Sequence, residues 1–104
     1  MSEFSNVTVV KKANIYFDGK VSSRSLRFAD GSSKTLGIML PGGYTFNTDA
    51  PENMEILAGD LEIQLPGSEA WIKVVGGEAF DVPGNASFSL KIHETTDYCC
   101  SFLE

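Results

Sequence analysis

Thr45, Asn47 and Glu52 place a hydroxyl, an amide and a carboxylate along the stretch Gly42-Gly43-Tyr44-Thr45-Phe46-Asn47-Thr48-Asp49-Ala50-Pro51-Glu52, with Gly59 after six further residues. On a β-strand, residues two apart share a face. If Thr45 and Asn47 face inward, Tyr44 and Phe46 face the other way. A small hydroxyl, an amide, a carboxylate and nearby aromatics suit an organic ligand that has sugar hydroxyls and a flat ring. They suit a bare divalent metal less well, because such a site needs three or four converging imidazoles, thiolates or carboxylates. The chain has one histidine, His93, and it lies just past a strand-like run. It is read as a surface residue, and no metal site or cofactor is expected. The same residues also fit a plainer reading, in which Thr45 and Asn47 are ordinary strand positions and Glu52 caps the turn after Pro51.

The elements that hold these groups are read as strands. Leu61-Glu62-Ile63-Gln64-Leu65 and Phe88-Ser89-Leu90-Lys91-Ile92 alternate apolar and polar residues with period two. Further strands are expected over 14–17, 21–28, 35–40, 43–47, 54–58, 71–75, 79–82 and 98–103. They are separated by turn chemistry such as Asp18-Gly19, Asp30-Gly31, Pro66-Gly67 and Gly76-Gly77. No window reads as an amphipathic helix. Many short strands at even spacing predict an all-β barrel, jelly roll or sandwich. Residues 1–13 are read as an arm or an extra strand, and 14–104 as one barrel domain.

Composition narrows the function. A chain of 104 residues holds one core, and 42% hydrophobic residues with seven Phe is ordinary for a folded domain. A net charge of −6, with only eight Lys and Arg, argues against a partner that is a nucleic-acid polymer. The amino terminus reads neither as a signal peptide nor as a spanning helix, so no membrane partner is expected and the location is read as cytoplasmic. Cys99 and Cys100 are adjacent and on a strand would face opposite ways, a poor geometry for a mutual disulfide, so both are read as ordinary thiols.

The spacing Thr45-x-Asn47, four residues, Glu52, six residues, Gly59 resembles the first metal motif of the cupin barrels, with Thr45 and Asn47 in the places of two histidines. A second cupin-like segment runs Gly77, five residues, Pro83-Gly84, with Phe88 in the place of the last histidine. Three of four ligand positions have changed. The segments Tyr16-Phe17-Asp18-Gly19-Lys20-Val21, Leu36-Gly37-Ile38-Met39-Leu40-Pro41-Gly42, Tyr44-Thr45-Phe46, Pro51-Glu52-x-Met54, Leu65-Pro66-Gly67, Phe80-x-Val82-Pro83 and Phe88-x-Leu90 together closely resemble the small bacterial pyrimidine/purine nucleoside phosphorylases, a metal-free cupin group. The likeness runs from about Asn14 to Phe102. It implies a single-domain cupin-type jelly-roll β-barrel. It also implies phosphorolysis of purine and pyrimidine ribonucleosides to free base and ribose 1-phosphate, and a homodimer.

That chemistry would need phosphate held beside the anomeric carbon, a stabilised leaving base and an oriented sugar. For phosphate, Lys20 and Arg24 are the candidates, with Arg27 and the hydroxyls of Ser22, Ser23 and Ser25 beside them. For the leaving base, Glu52 is the candidate acid and Asn47 a neutral donor, with Thr45 completing the catalytic set and Glu55 as fallback. Base stacking falls to Tyr44, Phe46, Phe88 and Tyr98, because every base offers a π-face. The competing readings are a non-catalytic sugar or nucleoside sensor and a metal-dependent cupin enzyme. A cation reaching the Thr45, Asn47 and Glu52 cluster is the feature that favours catalysis over mere binding.

Overall fold

The computed structural model describes residues 3–103; Met1, Ser2 and Glu104, which fall within the expected arm and barrel limits, lie outside the described residues. Eleven strands follow one another: β1 (Thr8–Val9), β2 (Asn14–Tyr16), β3 (Val21–Arg27), β4 (Ser33–Met39), β5 (Gly42–Asn47), β6 (Glu52–Ala58), β7 (Asp60–Gln64), β8 (Ile72–Val75), β9 (Ala79–Val82), β10 (Ser87–Ile92) and β11 (Thr96–Phe102). A 3₁₀ turn, Phe17–Gly19, interrupts them after β2. The expected strands are present, with β4, β6 and β11 each beginning two residues earlier than predicted. Within the expected amino-terminal arm, Thr8 and Val9 pair with Arg27 and Leu26 of β3.

The strands form two sheets. The larger runs β1-β3-β4-β11-β6-β9, with β2 also paired to β3, and the smaller runs β5-β10-β7-β8. The all-β expectation holds: among the described residues the two sheets face each other across one core and are not hydrogen-bonded to one another.

Strand parity decides what that core contains. On the larger sheet, Val21, Met39 and Thr96 share one register row and are all fully buried. On the smaller sheet, Leu90 pairs with Tyr44 and with Ile63, and Ile92 with Leu61. Apart from Thr96, these inward residues from both sheets belong to a single apolar cluster. Burying a side chain of this size contributes about 1.5–3 kcal/mol. The opposite face of the smaller sheet is polar and laced with charge: Lys91 pairs with Glu62 and Glu62 with Lys73, and the Lys91 ammonium lies 4.0 Å over the Trp71 ring. His93 sits on the surface, 2.8 Å from Glu62.

The central strand β11 buries both cysteines. Cys100 stands in the inward row with Thr35 and Met54, whereas Cys99 faces outward between Leu36 and Glu55. Both are free and buried, and burial pushes both thiols up from their ordinary ionisation range.

Candidate functional site

The two sheets part at one end and leave a cavity of about 420 Å³. That volume falls within the range of small-molecule sites. Its two walls differ in chemistry because they come from different sheets.

The wall on the larger sheet is polar. Ser23 on β3, Gly37 on β4 and Tyr98 on β11 share one register row, and Ser25, Thr35, Cys100 and Met54 share the next. Gly37 has a steric reason to be glycine. A Cβ there would collide with the Ser22 carbonyl oxygen and lie 2.7 Å from the Tyr98 ring and hydroxyl. The absent side chain lets the phenol lie across β4 toward Ser23. Asn14 of β2 donates its amide to Ser23 Oγ at 3.2 Å and to Ser25 Oγ at 3.1 Å. Both serine oxygens thus accept from Asn14, which leaves each hydroxyl hydrogen to donate elsewhere. Burial raises the Tyr98 hydroxyl to about 12, so it is a neutral donor at any physiological pH.

The facing wall is aromatic. Phe46 and Phe88 are paired directly across β5 and β10, and their rings stack at 5.7 Å and 25°. Tyr16 meets Phe46 edge-on at 6.3 Å, and Phe17 does so at 5.3 Å. Phe17 and Asp18 reach these positions through a left-handed turn, at φ 51° and 56°.

At the mouth, Asn47, Asp49, Ala50 and Glu52 complete the lining. Glu52 opens β6, opposite Phe102 and Val82. Burial holds its carboxyl above the usual range; hydrogen bonding to the Cys100 thiol works against this, and Asp49 reinforces it. The mouth segment is clamped by Thr48, a buried residue. Its hydroxyl donates to the Pro83 carbonyl at 2.7 Å and accepts the Ala86 N–H at 3.1 Å. The Thr48 N–H reaches the Ala86 carbonyl at 2.8 Å, and the Asn85 N–H reaches that of Asp49 at 3.0 Å. Thr48→Val keeps the shape but leaves buried backbone groups unpaired. It should cost about 1–3 kcal/mol in chemical denaturation and raise KM more than it lowers kcat, because it loosens the acids at the mouth. An unchanged denaturation midpoint would remove the clamp.

The structure brings together Glu52, Asn47, Phe46, Phe88 and Tyr98 of the residues expected from sequence. It corrects others. Thr45 faces outward, where it shares a 3.0 Å hydrogen bond with Ser89 and takes no part in the cavity. Tyr44 and Phe46 are the inward pair instead: Tyr44 is buried in the core and donates its hydroxyl to the Leu40 carbonyl at 2.7 Å. Asn47 shares the outward parity of Thr45 but reaches the cavity because β5 ends there. Lys20 follows the 3₁₀ turn, and Arg24 has the opposite parity to Ser23, so both are exposed and outside the lining. Glu55 is outward, opposite Cys99 and Ala79. Among the described residues no Lys or Arg lines the cavity. Lys20→Ala and Arg24→Ala should accordingly leave the phosphate KM within about twofold of the unsubstituted value, the small effect expected of exposed charges; a tenfold rise in steady-state assays would put them back in the site.

Thr35, Tyr16, Cys100 and Asp49 also line the cavity and were not singled out from sequence. Ser23 was noted only as a companion to Arg24. A usable signal existed: Ser23 and Ser25 continue the inward parity of Val21, so they are polar where the pattern demands a core.

Comparison with known proteins places this arrangement. A family model described as pyrimidine/purine nucleoside phosphorylase matches residues 11–102. The chain belongs to that family. A protein named pyrimidine/purine nucleoside phosphorylase from Geobacter sulfurreducens is 64% identical over 103 residues, covering 99% of each chain. One of the same name from Chlorobium chlorochromatii is 68% identical, again over 99% of each. Among solved structures, a protein of unknown function from Acinetobacter sp. ADP1 superposes with a TM-score of 0.96 at 39% identity, covering 99% of this chain and 100% of its own. An RmlC-like cupin from Shewanella frigidimarina shares the fold, with a TM-score of 0.69 at 14% identity over 96% of this chain and 86% of its own. The phosphorylase family and a cupin-like all-β fold thus meet in one molecule.

Proposed function

We propose that this chain cleaves purine and pyrimidine ribonucleosides with inorganic phosphate, releasing the free base and ribose 1-phosphate. The observation that carries the reading is the position of Glu52, a partly buried acid at the seam between a wall of hydroxyls and a wall of aromatic rings. Family membership supports it. Bond cleavage at the anomeric carbon builds positive charge on the sugar and negative charge on the base, as in glycoside cleavage. Glu52, held toward its protonated form, donates to the departing base. Asn47 offers a neutral donor beside it. The Phe46 and Phe88 wall accepts either class of base through its π-face and apolar edge, which asks for no fixed hydrogen-bond pattern. Ser23, Thr35 and Tyr98 orient the sugar and the oxyanion through neutral donors.

A cupin-type jelly roll, a homodimer and a cytoplasmic location belong to the same reading. So does the division into an amino-terminal arm over 1–13 and a β domain over 14–104.

One observation favours a second reading, a non-catalytic nucleoside or sugar sensor: among the described residues the lining contains no cation to hold phosphate. The two part on a simple assay. Chelator-treated protein mixed with uridine or inosine should release free base only when phosphate is added. Binding of nucleoside without phosphate-dependent release would establish the sensor, and activity lost on chelation and restored by a divalent metal would establish a metal-dependent cupin enzyme.

A further inference from the structure

The cavity pairs neutral donors with acids. Ser23, Thr35 and Tyr98 offer hydroxyls, while Asp49 and Glu52 bring carboxyl oxygens, and no Lys or Arg joins them among the described residues. These groups form one patch. Cys100 pairs with Thr35 across β11 and β4, and Tyr98, Cys100 and Phe102 alternate along the same face of β11, with Phe102 opposite Glu52. A tetrahedral dianion placed here meets repulsion from the Asp49 carboxylate, with no cation among the described lining residues to offset it, in a chain whose net charge is already −6. An oxyanion that still carries a proton reverses that contact: its own O–H donates to a carboxyl oxygen, and its other oxygens accept from the hydroxyls.

We infer that the site selects a protonated tetrahedral oxyanion, phosphate as the dihydrogen monoanion, and that the Asp49 carboxylate disfavours a tetrahedral dianion. The inference rests on the phosphorolysis reading for its role in turnover. The proton count closes. An ionised oxygen of dihydrogen phosphate forms the bond to the anomeric carbon as the electron pair of the carbon–nitrogen bond leaves with the base. The base takes the proton of Glu52, and Glu52 recovers one from the phosphate O–H. The products are a neutral base and the monoanion of ribose 1-phosphate, with no further reactant required.

Calorimetric titration of the full chain, in a phosphate-free buffer, with phosphate, arsenate and sulfate tests this. Near neutral pH phosphate and arsenate both carry a proton and should bind comparably. Sulfate carries none and should bind at least about a hundredfold more weakly, the discrimination expected where a site's polar group is left unpaired. Above the second ionisation of phosphate its affinity should fall about tenfold per pH unit. Asp49→Asn, whose amide can donate to sulfate, should bring sulfate to within about tenfold of phosphate. Sulfate binding as tightly as phosphate would overturn the inference, as would an absence of phosphate binding or a sulfate gap unmoved by Asp49→Asn in a variant that melts normally. Proton-selective phosphate binding without release of base would sink the phosphorolysis reading and leave this one standing.

Discussion

Glu52→Gln should lower phosphorolysis of uridine and inosine by about 10²–10⁴-fold, the usual contribution of a positioned general acid, while melting no lower than the unsubstituted protein at neutral pH. The amide keeps the size and hydrogen-bonding reach of the carboxyl but cannot yield a proton to the leaving base. The stability half of the expectation follows from burial. Glu52 is partly buried, and desolvation raises its pKa above the ordinary carboxylate value. The folded chain therefore binds more protons than the unfolded one between that value and the folded pKa. The stabilisation from its protonated form is complete below the unfolded pKa and is lost as pH rises through the folded one. Gln removes that slope because it never ionises. Melting temperature against pH should be flatter for Glu52→Gln, and the high-pH limb of kcat should fall away in the unsubstituted enzyme as Glu52 deprotonates. A variant that melts several degrees lower at neutral pH and keeps its kcat would assign Glu52 a structural role instead.

Gly37→Ala should damage both the fold and the reaction. Its Cβ would press on the Ser22 carbonyl and on the Tyr98 phenol at 2.7 Å, and the first of these is backbone that cannot swing away. Overpacking of this kind costs about 1–3 kcal/mol. The second contact moves the phenol off the row it shares with Ser23, so kcat/KM should fall by about tenfold or more, the effect of losing one oriented donor of about 1.4 kcal/mol. Tyr98→Phe separates the two effects: the ring still covers β4 and the hydroxyl is gone. It should melt within a few degrees of the unsubstituted protein and lose activity comparably to Gly37→Ala. Full activity in Tyr98→Phe would show that the phenol fills space and touches no substrate.

Much of this architecture is legible from residue order, because alternation fixes which elements exist. Leu61, Ile63, Phe88, Leu90 and Ile92 point inward as their period demands. The error at β5 has a clear cause. Spacing borrowed from a metal motif turned Thr45 inward, whereas the plain apolar alternation of Tyr44 and Phe46, facing Leu90 and Phe88 across the pair, describes the strand correctly. The same rule moves Arg24 outward, since Val21 and Ser23 are inward. What no local pattern discloses is the hydroxyl wall. Ser23, Thr35 and Tyr98 meet only because β3, β4 and β11 pair in one register, and that pairing joins residues more than sixty positions apart. Glu52 was visible as a candidate, but the half-burial that makes it an acid comes from strands distant in the chain.

The back-to-back cysteines of β11 give the molecule two internal reporters at one address. Cys100 looks into the cavity and Cys99 toward the outer surface of the same sheet, and burial keeps both thiols protonated and slow to alkylate. Labelling at either therefore times an opening event, and mass spectrometry of single-cysteine variants would assign each to its face. An occupant in the cavity would slow one clock and leave the other running.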